Sequence, residues 1–147
     1  MKLKNCRFCH STSLIPILQL GNQYLSHFIN PDEDKGKAYP LNTVLCQNCT
    51  LLQLNYTVPS NKLYGEDYGY ASHISEMIRA DLKNIVEETA IRVHLQKEDI
   101  WLSIGENDAT LLKNVPKDII RVGVDPITKF SKYYDEKNLH FINDYFN

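Results

Sequence analysis

Cys6-Arg7-Phe8-Cys9 and Cys46-Gln47-Asn48-Cys49 are two C-x-x-C turns with residues 10–45 between them, and together they use every cysteine in the chain. A C-x-x-C turn sets two thiolates about one tetrahedral edge apart, and a second such turn completes four ligands. Thiolates are soft donors, and a closed four-sulfur shell leaves no position open for chemistry. Zinc in a structural role is therefore the metal this set suits, with Cys6, Cys9, Cys46 and Cys49 as its ligands. His10 follows Cys9, so the first turn also fits the haem-attachment pattern C-x-x-C-H; that reading needs export and orphans the second turn. A redox C-x-x-C belongs at the start of a helix beside a strand, whereas Cys6 stands close to the first residue. His10 is read as a neighbour of the four thiolates, not as a ligand.

A metal would also supply what residues 1–70 lack. Leu14-Ile15-Pro16-Ile17-Leu18 and Thr43-Val44-Leu45 read as short strands, and Asn30-Pro31-Asp32-Glu33-Asp34-Lys35-Gly36 as a solvated loop. These apolar runs are too few to offset the entropy of ordering about seventy residues, at about 1–2 kcal/mol each for the backbone. Ligation cross-links two distant turns and stands in for a core.

The 147 residues are 43% hydrophobic and 23% charged, which excludes a disordered, collagen-like or coiled-coil chain. The formal charge is −2 with no Lys/Arg block, so a nucleic-acid partner is not expected. There is no apolar run of about eighteen residues and no signal-type segment after Met1, so neither a membrane span nor export is expected. A cytoplasmic, reducing location follows as the expectation, and it agrees with thiolates used as ligands.

From Ser72 to about Leu95 the apolar residues Ile74, Met77, Ile78, Leu82, Ile85, Val86, Ala90 and Val93 recur at spacings of three and four. This predicts a helix packing one stripe on a core, with Ser72 as N-cap and Glu76 in the first turn. Beyond it, Ile100–Ile104, Ile119–Asp125 and Leu139–Ile142 read as strands, while Thr110–Asn114 and Thr128–Glu136 read as helices. Strand–helix–strand alternation predicts a parallel sheet with right-handed crossovers, and three strands make half of a doubly wound fold.

Ser103-Ile104-Gly105-Glu106-Asn107-Asp108-Ala109 leaves the first of these strands, where ligands bind in parallel sheets and where a glycine lets backbone approach them. About twenty residues on, Gly123-Val124-Asp125-Pro126 ends the second strand with an acid, the usual partner of ribose hydroxyls. Spacing alone indicates a nucleotide- or nucleoside-cofactor site. A plain strand–helix turn with Asp125 capping the next helix stays open beside it.

Over nearly the whole chain these motifs resemble the zinc-containing, S-adenosylmethionine-dependent C-methyltransferases that act on nucleotide-linked deoxysugars. The resemblance runs through the first C-x-x-C and Leu18-Gln19-Leu20-Gly21-Asn22-Gln23. It continues through Tyr39-Pro40-Leu41, the second C-x-x-C with Thr50-Leu51-Leu52-Gln53-Leu54, and Tyr68-Gly69-Tyr70-Ala71-Ser72. It ends with Ile104-Gly105-Glu106-Asn107-Asp108 and Gly123-Val124-Asp125-Pro126. It implies an α/β architecture: a zinc-binding subdomain over 1–70, then over 71–147 a helix and a partial Rossmann-like parallel sheet of the class I methyltransferase type. It implies that Gly105, Asn107 and Asp108 line the methionine end of S-adenosylmethionine, that Asp125 holds its ribose, and that Tyr68, Tyr70 and Ser72 close over it.

The family's catalytic His and Tyr lie beyond the third strand, so no catalytic residue is assigned, and His94 and His140 match none of them. The chain is expected to be methyltransferase-like but not catalytic alone, with a nucleotide sugar as the implied substrate. The other reading is a non-enzymatic zinc-binding interaction module on the same fold. In the family's strand order Ile100–Ile104 is central; here it becomes an open edge, which calls for a homo-oligomer or a partner chain to cover it. The family has a small residue where Glu106 stands and glycine where Ala109 stands. Ala109 costs about 1–2 kcal/mol if its backbone must take a positive φ.

Overall fold

The computed structural model describes residues 1–25, 32, 36–65 and 68–146. It divides into two compact units, Met1–Asp67 and Tyr68–Asn147.

The first unit is built on a three-stranded antiparallel sheet, β1 (Leu14–Gln23), β2 (Tyr39–Cys46) and β3 (Leu52–Leu54), in that spatial order. β1 runs longer than its apolar run suggests, and β3 was not foreseen at all, since three residues carry no measurable period. Pro16 sits on the edge strand β1, where a proline is tolerated, and two register shifts follow it, at Pro16/Leu18 and Gln19/Asn22. Nearly all of β1 is exposed, and burial centres on Cys6, Cys46, Tyr39, Val44 and Gln53. The first unit thus has few buried apolar side chains beside its sulfurs. A four-residue helix, α1 (Ser60–Leu63), follows. Most of the loop read at Asn30–Gly36 lies outside the described residues.

The second unit opens on a 3₁₀ turn at Ser72–Ile74 and the helix α2 (Glu76–Val93). Three parallel strands follow, β4 (Ile100–Ile104), β5 (Ile120–Val124) and β6 (Leu139–Ile142), in the order β4-β5-β6. The parallel sheet is as the alternation predicts. Three local readings differ. The N-cap of α2 is Ser75, whose hydroxyl accepts from Ile78 N–H at 3.4 Å, not Ser72. The segments after β4 and β5 are 3₁₀ turns, Leu112–Asn114 and Thr128–Tyr133, not α-helices. Pro116 follows the first of them closely and stops it from lengthening.

The stripe on α2 is also less buried than its period suggests. Val86 is buried and Ile78, Leu82 and Ala90 are half-buried, but Ile74, Met77, Ile85 and Val93 are exposed. A sheet three strands wide, with β4 at its edge, offers too little surface to cover the whole stripe. The core instead joins Val86 to Ala109, Leu112, Val115, Ile119 and Leu139, with Trp101, Leu95, Tyr133 and Tyr134 packed around them. Among the described residues one face of the sheet is much better covered than the other. Trp101, Arg121, Gly123 and Leu139 face the core, whereas Ile100, Leu102, Ile104, Ile120 and Ile142 face outward and are exposed.

Candidate functional site

The β1–β2 register explains how two C-x-x-C turns so far apart in sequence meet. Leu14 pairs with Cys46, so the first turn, just before β1, lies beside the second, just after β2. Gln47 N–H bonds Ser13 C=O at 2.9 Å and locks them side by side. The turns are built alike. In each, the N–H of the residue after the second cysteine returns to the first cysteine's carbonyl, His10 to Cys6 at 3.1 Å and Thr50 to Cys46 at 2.8 Å. In each, that residue is left-handed, with φ of 59° at His10 and 61° at Thr50. His10 is therefore the turn's closing residue, and its role is conformational.

The four Sγ atoms all lie within 4.8 Å of one another, with Cys6–Cys49 at 3.6 Å and Cys9–Cys46 at 3.5 Å. A tetrahedron of zinc–sulfur bonds near 2.3 Å puts its sulfurs about 3.8 Å apart. A disulfide needs about 2.05 Å, and all four cysteines are free thiols. The spacing fits zinc, and the cradle favours thiolate. The Asn48 side chain and the Ser11 N–H pull Cys9 down to about 6. The Cys9 N–H lowers Cys6 against the effect of burial. Cys49 goes the other way, up to about 12: the Leu51 N–H lowers it, but burial and the three neighbouring sulfurs outweigh that bond. Three sulfurs crowding a fourth is the repulsion that a divalent cation removes.

The second unit gathers the other expected residues. Gly105 leaves β4 with φ +69° and donates its N–H to Val124 O at 2.8 Å, so the turn leans on the end of β5. Left-handed residues alternate along it, with φ of 66° at Asn107 and 60° at Ala109. The side chain of Asn107 reaches the 70–73 segment: Oδ1 accepts from Ser72 N–H at 3.1 Å and Nδ2 donates to Tyr70 O at 3.3 Å. Asp108 accepts from His73 N–H at 2.9 Å. Asp125, at the end of β5, accepts from Asn107 N–H at 3.0 Å through Oδ2 and from Ile127 N–H at 2.8 Å through Oδ1. The structure thus places Gly105, Asn107, Asp108, Asp125, Tyr70 and Ser72 in one hydrogen-bonded cluster at the carboxyl ends of β4 and β5. Tyr68 packs nearby against the cluster of Ala71, Ile127 and Phe130.

Residues 6–64 match the family model Methyltransf_13, a zinc binding domain. The match covers most of the first unit. The C-methyltransferase NovU of Streptomyces niveus is 24% identical over 144 residues, which cover 95% of this chain and 34% of the relative. The chain spans about a third of the length of the curated relative it matches. The resemblance to zinc-containing C-methyltransferases runs through both units.

Within this methyltransferase-like chain, several residues of the second unit escaped the sequence reading. Glu106 turns inward and is buried, and its Oε1 accepts from Leu112 N–H at 3.0 Å, so it caps the following 3₁₀ turn. Burial raises its carboxyl above the usual range, opposed by bonds from Ser103, Leu112 and Leu111. Tyr134 lies over Gly123, where an added Cβ would stand 2.3 Å from its hydroxyl. Burial, with the charges of Glu106, Asp125 and Asp108, raises that phenol. The glycine in the middle of a strand was the signal for such a close approach. Arg121, also in β5, is fully buried and donates to Lys137 O at 2.7 Å and to Glu136 at 3.2 Å. Nothing in its spacing distinguished it from an exposed strand arginine.

Proposed function

We propose that this chain binds S-adenosylmethionine and serves methyl transfer to carbon on a nucleotide-linked deoxysugar, with its zinc in a structural role. The observation that carries the reading is the hydrogen-bonded convergence of the 105–109 turn, Asp125 and the 70–73 segment at the ends of two parallel strands. The Gly105 backbone is open on one side, since an added Cβ would meet nothing within 4 Å, which suits close approach by a ligand. The donor set also suits it: Asp108 and Asp125 are buried beside the turn, and buried carboxylates favour a cationic ligand. Gly105, Asn107 and Asp108 would face the methionine end, Asp125 the ribose, and Tyr68, Tyr70 and Ser72 would close the site. When bound, the cofactor supplies a methyl group on a positively charged sulfur. The chain's own part is to fix the turn and exclude water from it.

A second reading is favoured by one specific observation. Asp125, Asn107 and Asp108 already bond groups of this chain, as they would in a zinc-bearing interaction module that binds no cofactor. Calorimetric titration with S-adenosylhomocysteine separates the two. The proposal expects one site per chain, weakened at least about tenfold by Asp125→Ala, the worth of one lost charge-assisted bond. No heat of binding with folded, zinc-loaded protein would decide for the interaction module.

A further inference from the structure

Besides its place in the cofactor reading, Asp108 of the 105–109 turn holds a histidine. His73 Nδ1 lies 2.6 Å from Asp108 Oδ2. The Asp108 side chain is fully buried, whereas that of His73 is 48% exposed. Donors surround this carboxyl, with His73 N–H on Oδ2 at 2.9 Å and Thr110 N–H and hydroxyl on Oδ1. An ionised carboxyl only accepts, so it fixes the imidazole proton on Nδ1 and leaves Nε2 of this half-exposed ring as the acceptor nitrogen. The ring is also braced by Tyr133, with centroids 5.5 Å apart.

His73 opens onto a cleft of about 270 Å³ whose lining includes Tyr70, Lys129, Phe130, Lys132 and Tyr133. Lys132 Nζ stands 5.0 Å over the Tyr133 ring. Aromatic faces, positive charge and one oriented nitrogen converge there. We propose that His73 and Asp108 form a proton-accepting pair serving this cleft, and that the cleft takes a small ring-bearing molecule with a negative group. The aromatic walls take the ring and Lys132 the negative group, while Lys129 is held by the Tyr68 carbonyl. The ligand's O–H or C–H proton passes to Nε2 while the electron pair of that bond stays on the ligand atom. The imidazolium so formed is stabilised by Asp108, and no oxidant or reductant is involved. The inference deepens the methyl-transfer reading, which calls for a base, but its tests use no cofactor and can fail separately from it.

The test is nitrogen-15 NMR of the full, zinc-loaded chain. His73 is expected as the Nδ1–H tautomer with a bare Nε2, and Asp108→Asn, which removes the charge, is expected to shift it toward Nε2–H. Inorganic pyrophosphate, as probe of the anionic half, is expected to move the His73 ring signals saturably. Its affinity should fall about fivefold in Lys132→Gln, the share of one exposed charge pair. His73 found as Nε2–H in the wild type, or pyrophosphate binding that neither moves His73 nor depends on Lys132, overturns the proposal. Should Asp108→Asn not fold, the wild-type tautomer and the lysine variant still decide it.

Discussion

Ala109 is fully buried and left-handed, with φ +60°. Three effects compete there. The conformation costs about 1–2 kcal/mol for a residue with a Cβ. Glycine would remove that strain, but it gives up about 0.8 kcal/mol of buried methyl and adds about 0.5–1 kcal/mol of unfolded-chain entropy. The sum is close to zero, so Ala109→Gly is expected to unfold in denaturant within about 1 kcal/mol of wild type. Ala109→Val adds bulk to a filled core and a branched Cβ at positive φ, and should cost about 2 kcal/mol or more. A large gain for the glycine variant would show that the strain dominates. This position was legible beforehand, because the resemblance places glycine there; Glu106, the other departure, was not, since only the fold shows it turned inward as a cap. Burial first of all raises the folded-state pKa of Glu106 above the ordinary 4.5. A raised pKa contributes stability that is full below about 4.5 and lost as pH rises through the folded value. Glu106→Gln keeps the acceptor for Leu112 N–H without the charge. It is expected to unfold later than wild type at pH 8 and to lose that advantage at pH 4. An advantage that is the same at both pH values would mean that folding does not raise the Glu106 pKa.

At the scale of elements, the runs at Ile100–Ile104 and Leu139–Ile142 were readable because a short, mostly apolar stretch bounded by turn residues has few other uses. The helical stretches expected after β4 and β5 are 3₁₀ turns and shorter than expected, because an i, i+3 pattern over a few residues does not set the helix type. The α2 period was real, but a period says which residues share a face and not how much partner surface exists. That is why Met77 and Ile85 are apolar, on the stripe, and exposed. The same shortage of partners shows at β4, which is the edge strand among the described residues and presents Ile100, Leu102 and Ile104 outward. An apolar edge recruits pairing. Leu102→Lys, at the middle of this edge and half exposed, should change unfolding free energy by less than about 0.5 kcal/mol. It should lower the sedimentation-derived association of the chain at high concentration. A wild-type chain that sediments as a monomer at every concentration would remove the reason for the substitution.

For the whole molecule, the two units rest on different physics, and this makes them separable by experiment. The second has a shared apolar cluster around Val86, Leu112, Val115 and Leu139. The first buries two cysteines, Tyr39 and Val44 as its apolar set and leaves Ile15, Ile17, Leu18 and Leu20 exposed. At about 1–2 kcal/mol of backbone entropy per residue, such a set does not order a unit of this length. A four-thiolate zinc site supplies about 10 kcal/mol or more and closes the long loop between its two turns. The cysteine spacing made the four-sulfur site legible, because two C-x-x-C turns offer four soft donors at tetrahedral spacing. The pairing of β1 with β2 that brings them together was beyond it. Removing zinc with a chelator at neutral pH should therefore collapse the amide dispersion of residues 1–65. Trp101, the single tryptophan, lies in the second unit beside its core and should keep its emission. Zinc added back should restore the first unit at one ion per chain, and Cys9→Ser should weaken that recovery. If Trp101 and the second unit's amides lose protection in step with the first, zinc supports more than the unit that binds it. If neither unit responds to the chelator, the four sulfurs do not stand in for a core.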